Sequence, residues 1–274
     1  MILCSHAESI LFPRSCACCN ISLFCPEDSR PLEKRDRYDR SCTGRPSYKG
    51  FLCSRCASSI RLLISPLCSV CGEPFKTPAG PDHICGRCLK NPPGYDTARS
   101  IFAYEDTIQT LIHRIKYQAQ GYPLKALARL AKPYVSEIVE GMEQPDLICP
   151  VPVHASRLRQ RGFNQASALA YEIFDRNAWW ICPDILIKNR RTPPQVELSR
   201  QERLRNVKGS FGVKDPSLIR RKNVLLFDDV FTTGATVSEC ARTLKKNGAE
   251  RVFAVTIARA WIKGDRHPVN LDNS

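Results

Sequence analysis

A chain of 274 residues has room for one substantial α/β core and a smaller module. Its most apolar segments are strand length, well short of the roughly 18 residues that span a bilayer, and its start lacks the basic and apolar run of a secretory signal, which predicts a cytoplasmic protein without membrane insertion. The formal charge of +14 falls to about +10 if two Cys4 zinc sites each carry a net −2, and that excess suits nucleic acid, phosphorylated metabolites or acidic partners.

Twelve of the 15 cysteines lie between Cys4 and Cys88, marking a cysteine-rich N-terminal module at residues 1–92. In a reducing compartment, repeated C-x-x-C pairs read as metal ligands rather than disulfides, with zinc the default ion. Cys16 and Cys19 pair with Cys53 and Cys56 in one set. Cys68 and Cys71, separated by thirteen residues from Cys85 and Cys88, form with them the second and stronger set. Each C-x-x-C turn aims two thiolates at one tetrahedral ion, and a Cys4 site leaves no open position, so one or two structural zinc ions are expected. A charged stretch at residues 26–49, "EKRDRYDR" within it, has neither helical nor strand periodicity and reads as a flexible insertion at about residues 20–50. Because Cys18, Cys25 and Cys42 lie in or beside it, the ligands of the first site stay open among them.

After "NPPGYD" the pattern becomes alternating strands and helices, opening a second domain at residues 95–262. Strands are predicted at about residues 98–104, 146–151, 185–187, 223–227 and 251–256. Helices are predicted at about residues 107–117, 124–140, 165–176 and 236–247. Leu111, Ile112 and Ile115 give the first helix an apolar stripe for core packing. Such alternation implies an α/β fold with a mainly parallel, doubly wound sheet, whose ligands lie at the carboxyl ends of the strands. Residues 263–274 read as a disordered tail.

The most informative stretch is "VLLFDDVFTTGAT", an apolar strand that ends in Asp228 and Asp229 and a small-residue turn. Thr232, Thr233, Gly234, Ala235 and Thr236 form a loop entering a helix, where backbone N–H groups, hydroxyls and the positive helix end can hold a phosphate. The two acids beside it are placed to accept from a ribose diol. The plain alternative makes Asp229 a cap and the turn a helix start. Arg157 and Arg161 precede "GFNQ", and Arg190, Arg191 and Arg200 fill a polar loop; guanidinium clusters of this kind suit phosphate oxygens or lie solvated on a surface.

The acids followed by T-T-G-A-T resemble the 5-phosphoribosyl 1-pyrophosphate (PRPP) signature of the type I phosphoribosyltransferases. With "CPVPVHASRLRQRGFNQA" from Cys149, "RRTPPQVELSRQERLRNVKGSF" from Arg190, "LIHRIKY" from Leu111 and the double zinc ribbon, nearly the whole chain resembles the competence protein F (ComF) family. The long insertion after Cys19 departs from that pattern. The resemblance implies that Asp228 and Asp229 hold the ribose hydroxyls, that residues 232–236 hold the 5-phosphate, that the loop with Pro152, Val153 and His154 meets pyrophosphate, and that Mg2+ bridges pyrophosphate and ribose oxygens. It implies a role in uptake of single-stranded DNA during natural transformation, with a competence helicase or another DNA-uptake protein as a further partner. The alternative is an active phosphoribosyltransferase that moves ribose 5-phosphate to a nitrogen base or amine and releases pyrophosphate.

Overall fold

The computed structural model describes residues 15–23, 50–77, 80–118, 121–190 and 200–261. Its elements run α1 (Ser54–Ser58), α2 (Gly86–Lys90), β1 (Thr97–Ala103), α3 (Asp106–Gln118), α4 (Gly121–Glu140), β2 (Leu147–Pro150), α5 (Ala155–Arg161), α6 (Gln165–Ile173), β3 (Leu186–Lys188), α7 (Arg200–Val207), β4 (Phe211–Val213), β5 (Asn223–Phe231), α8 (Ala235–Lys246) and β6 (Arg251–Arg259). They group into two compact units, Met1–Ile60 with Glu105–Leu130 and Arg61–Tyr104 with Ala131–Ser274.

In the first unit the apolar stripe of α3 is buried at Leu111, Ile112 and Ile115, as the helical spacing requires. Arg114, on the same helix, donates to the carbonyls of Ala17 (2.7 Å) and Cys18 (3.0 Å) and so fixes the first cysteine turn. Phe51 stacks on Tyr122 with ring centroids 5.6 Å apart, and the Arg129 guanidinium lies 4.7 Å over the Phe51 ring.

The second unit is built on a four-stranded parallel sheet in the order β1-β6-β5-β2. Val224–Phe227 of β5 and all of β6 after Arg251 are buried, the mark of strands covered on both faces. Both α6 and α8 pack on β5. Each Leu, Ile, Val or Phe taken fully out of water here contributes about 1.5–3 kcal/mol before entropy is counted. The sheet therefore fixes the end of β5 firmly, and that end carries the two acids.

The strand expected at residues 185–187 forms, but not in the parallel sheet. β3 pairs antiparallel with β4 in a separate two-stranded sheet, Lys188 opposite Phe211. Three residues with only Leu186 buried cannot announce their partner, which lies beyond a long connection. Two further helices, α5 and α7, occupy stretches read as basic loops. Cys25, residues 26–49 with Cys42 among them, and the tail at 263–274 lie outside the described residues. Among the described residues no helix is long and apolar enough to cross a membrane.

The compact units cut across the composition change near residue 92, because the second cysteine ribbon packs into the α/β core. Ala98 N–H donates to Val70 O at 2.7 Å, Leu63 N–H to Ile101 O at 2.8 Å, and Arg99 to the carbonyls of Cys68 and Ser69. Cys68, Cys71 and Cys88 share one buried cluster with Val224, Leu226 and Phe231. Gly72, at φ +67°, lies so close to β1 that a side chain would meet Ala98 O at 2.6 Å.

Candidate functional site

The described cysteines form two tetrads, Cys16, Cys19, Cys53 and Cys56, and Cys68, Cys71, Cys85 and Cys88, the sulfurs of each lying within 4.8 Å of one another. A tetrahedral zinc with bonds of about 2.3 Å sets its sulfurs about 3.8 Å apart. The Cys19–Cys53 separation of 3.8 Å and the Cys71–Cys85 separation of 3.9 Å match that edge. Backbone amides point at the sulfurs as well: Cys53 N–H donates to Cys16 Sγ, and both Cys71 and Cys85 N–H donate to Cys68 Sγ. Burial opposes ionisation of Cys16 and Cys68, but the backbone amides of Cys19, Cys53 and Cys18 around the first and of Cys71, Cys85 and Val70 around the second outweigh it and lower each thiol to about 7, favouring the thiolate a metal needs. Cys18, left open as a ligand by the sequence, is not one of the four, and its thiol lies 3.6 Å from the Thr107 hydroxyl.

At the end of β5, Asp228 is half-buried and Asp229 buried, and Asp228 Oδ1 accepts the Asp229 N–H at 2.9 Å. The chain then turns through Thr232 and Thr233 to Gly234, which caps α8 in the left-handed region at φ 74°. A side chain there would lie 2.5 Å from the Phe231 ring, so only glycine fits the turn. Thr233 is buried and its hydroxyl accepts from Ala235 N–H, while Thr232 and Thr236 are half-buried beside it. Gly234 has no side chain to cap α8, and the first-turn amides beyond Ala235 are the donors a phosphate would use.

The loop after β2 lies beside this strand end, since β2 and β5 are neighbours and Val151 N–H donates to Phe227 O at 2.8 Å. Pro152 and Val153 lead to His154, whose Nδ1 accepts from Ser156 N–H and caps α5. Arg157 and Arg161 lie on that helix. Arg161 donates to Gln165 Oε1 at 3.3 Å, and the buried Gln165 Nε2 has no hydrogen-bond acceptor among the described residues. An orphaned amide of this kind costs about 1–3 kcal/mol until an acceptor arrives.

The other arginines divide. Arg190 donates to the carbonyls of Asn206 (3.1 Å) and Lys208 (3.0 Å), closing the end of α7 rather than facing the loop. Arg191 lies outside the described residues, and Arg200 begins α7, with only its backbone described. A residue that the sequence reading passed over stands closer. Lys188, half-buried on β3, holds its ammonium 5.3 Å over the Phe211 ring. Burial and the positive Arg157 lower its pKa, while Cys240 and Asp228 pull the other way. Its signal in the sequence was one lysine ending a three-residue strand, which carries no periodicity.

A parallel sheet with paired acids and a small-residue phosphate loop at one strand end, joined to two tetracysteine clusters, defines a phosphoribosyltransferase-fold protein with a double zinc ribbon. Residues 40–89 match the double zinc ribbon domain family and residues 124–269 the phosphoribosyl transferase domain family. The chain is 35% identical over 214 residues to the DNA utilization protein YhgH of Salmonella typhimurium, covering 76% of this chain and 90% of that one. It is 34% identical over 220 residues to competence protein F of Haemophilus influenzae (77% and 92% covered) and 27% identical over 216 residues to competence protein ComFC of Bacillus subtilis (76% and 84% covered). The chain belongs to the competence protein F family. The ribbon match begins at residue 40, past Cys16 and Cys19, whereas the geometry sets that pair against Cys53 and Cys56 across the insertion.

Proposed function

We propose that this protein binds Mg·PRPP at the end of β5 and uses that site in handling single-stranded DNA during natural transformation, in the cytoplasm. One observation carries the ligand: two adjacent carboxylates in the last four residues of a strand with a buried core run stand five and six positions before a glycine-capped helix start. Asp228 and Asp229 would accept from the ribose hydroxyls, and the amides and hydroxyls of residues 232–236 would hold the 5-phosphate. The loop at Pro152, Val153 and His154, with Arg157 and Arg161 beyond it, would face pyrophosphate, where Gln165 Nε2 offers a spare donor. Magnesium, which prefers hard oxygens and substrate phosphates, would be held largely by PRPP itself. The names of the relatives, competence protein and DNA utilization protein, support the DNA role, as does the basic surface.

Calorimetric titration of PRPP into the zinc-loaded chain tests the ligand. A saturating one-to-one heat that requires magnesium is expected, and absence of heat at millimolar PRPP removes the reading.

Lys188 adds a pH dependence. Its ammonium attracts the PRPP phosphates only while protonated, and its pKa lies below the ordinary lysine value. PRPP affinity is therefore expected to be full at neutral pH and to fall as pH rises through the Lys188 pKa. Binding measured from about pH 7 to about pH 10 should show that fall in the native chain and lose it in Lys188→Arg, since arginine stays charged. A pH profile shared by both would remove Lys188 from the site.

A further inference from the structure

Against the phosphate loop lies a cavity of about 850 Å3, within the range of about 300–1,000 Å3 typical of small-molecule sites. Phe231, Thr233 and Gly234 form part of its wall, whereas Asp228, Asp229, Thr232 and Thr236 are not among the residues that line it. It therefore touches the loop without sharing the ribose acids. The ribbon contributes Arg87 and Cys88, the connector Pro92 and Pro93.

The charges in this cavity are unbalanced. Arg87, Arg205, Lys208, Arg242, Lys246 and Arg259 line it, against one carboxylate, Glu239. Arg87 and Arg259 share Glu73 from outside the lining, and Arg242 lies 3.8 Å from Glu239, which also accepts Gly209 N–H. Arg205, Lys208 and Lys246 have no ion pair among the described residues, and all three are exposed. Arg242 and Lys246 stand one turn apart on α8, so like charges are stacked on one helix face, which costs stability unless an anion bridges them. A single phosphate would reach one such pair. Linked phosphates could answer the α8 pair together with Arg205 on α7 and Lys208 just past it.

We propose that this cavity binds a compact polyanion of two or more linked phosphates, and that its occupancy sets the affinity of the phosphate loop on the other side. The coupling, though not the site, rests on the PRPP reading above. Its route is short: the Phe231 ring fills the space beside Gly234 and carries the Arg259 guanidinium 4.4 Å over its face. A ligand that draws on Arg259 or presses Phe231 shifts the turn that would hold the 5-phosphate.

The test is calorimetric titration of tripolyphosphate into the full zinc-loaded chain, into Arg242→Glu/Lys246→Glu and into Asp228→Asn/Asp229→Asn, with folding checked by circular dichroism. Binding is expected in the native chain and in the acid variant, with at least a tenfold loss in the charge-reversed one. Arg205→Glu/Lys208→Glu gives the same readout from a different element. Saturating tripolyphosphate is also expected to change PRPP affinity by a fixed factor, and PRPP to change tripolyphosphate affinity by the same factor. A nucleoside triphosphate in place of tripolyphosphate separates the sources: tighter binding assigns the site to nucleotides, equal binding to phosphates alone. Simple competition with PRPP, or equal affinity in the charge-reversed and native chains, would overturn the site. Binding of oligothymidylate but of neither phosphate compound would overturn it as well. Were PRPP itself not to bind, tripolyphosphate binding sensitive to Arg242 and Lys246 would still stand.

Discussion

Asp228→Asn combined with Asp229→Asn is expected to weaken PRPP binding by about 100-fold or more while leaving the fold in place. Each carboxylate would accept a ribose hydroxyl as a charge-assisted hydrogen bond of about 1.5–3 kcal/mol, so two give about 3–6 kcal/mol, and about 1.4 kcal/mol is a factor of ten. The variant keeps the local structure for a definite reason. Asp228 Oδ1 accepts the neighbouring Asp229 N–H, and an asparagine carbonyl oxygen can accept the same bond. Both positions follow four buried apolar residues of β5, and asparagine keeps the size and shape of each side chain. Calorimetry on the native and substituted chains, with the thermal midpoint as a control, decides it. Unchanged affinity would mean that the acids are structural and that the ribose lies elsewhere.

The second large effect is expected at Glu73→Gln, and it is one of stability. Arg259 is 2% exposed, donates to Cys71 O at 2.7 Å and to the Glu73 carboxylate, and stacks on Phe231. Removing the negative charge takes from a buried guanidinium its only carboxylate among the described residues, leaving it the Cys71 sulfur at 3.9 Å, and breaking such a pair costs about 3–5 kcal/mol. The half-exposed partner, Arg87 at 2.7 Å, adds less because solvent screens it. With a urea slope of about 1–3 kcal/mol per molar, the midpoint should fall by about 1 M or more. Burial raises the Glu73 pKa, but Arg259 and Arg87 outweigh it and hold the carboxyl below the usual range. The sign follows: the stabilisation is fully present above the unfolded carboxylate pKa, about 4.3, and is lost as pH falls through the lower folded value. Glu73→Gln should flatten that acid limb. A loss under about 1 kcal/mol would show that the clamp between ribbon and core is not energetic.

How much of this could be read from residues alone varies with the length of the signal. The β5 run and its acids were legible because four consecutive apolar residues before two aspartates have few other readings, and the spacing of α3 gave its buried face in the same way. Cys68 to Cys88 were legible because both pairs lie within one short ribbon. The set of Cys16, Cys19, Cys53 and Cys56 follows from the same C-x-x-C spacing, but the insertion left Cys18, Cys25 and Cys42 open as substitutes, and the fold is what brings these four sulfurs together. α5 escaped because its cap is a histidine and its seven residues show no buried stripe. α7 escaped because its polar sequence follows two prolines. The setting of Arg190 against the end of α7, of Lys188 against Phe211 and of Glu73 against Arg259 depends on tertiary pairing that no local pattern encodes.

Fluorescence anisotropy of a labelled single-stranded oligonucleotide, titrated with the zinc-loaded chain with and without Mg·PRPP at two salt concentrations, tests the proposed function as a whole. Binding that weakens with salt and whose affinity shifts when PRPP is present is the predicted result, because a site that shares free energy with a second ligand must answer to it. Absence of binding at low salt, or binding indifferent to PRPP, would contradict it and leave a PRPP-dependent transferase in search of its acceptor.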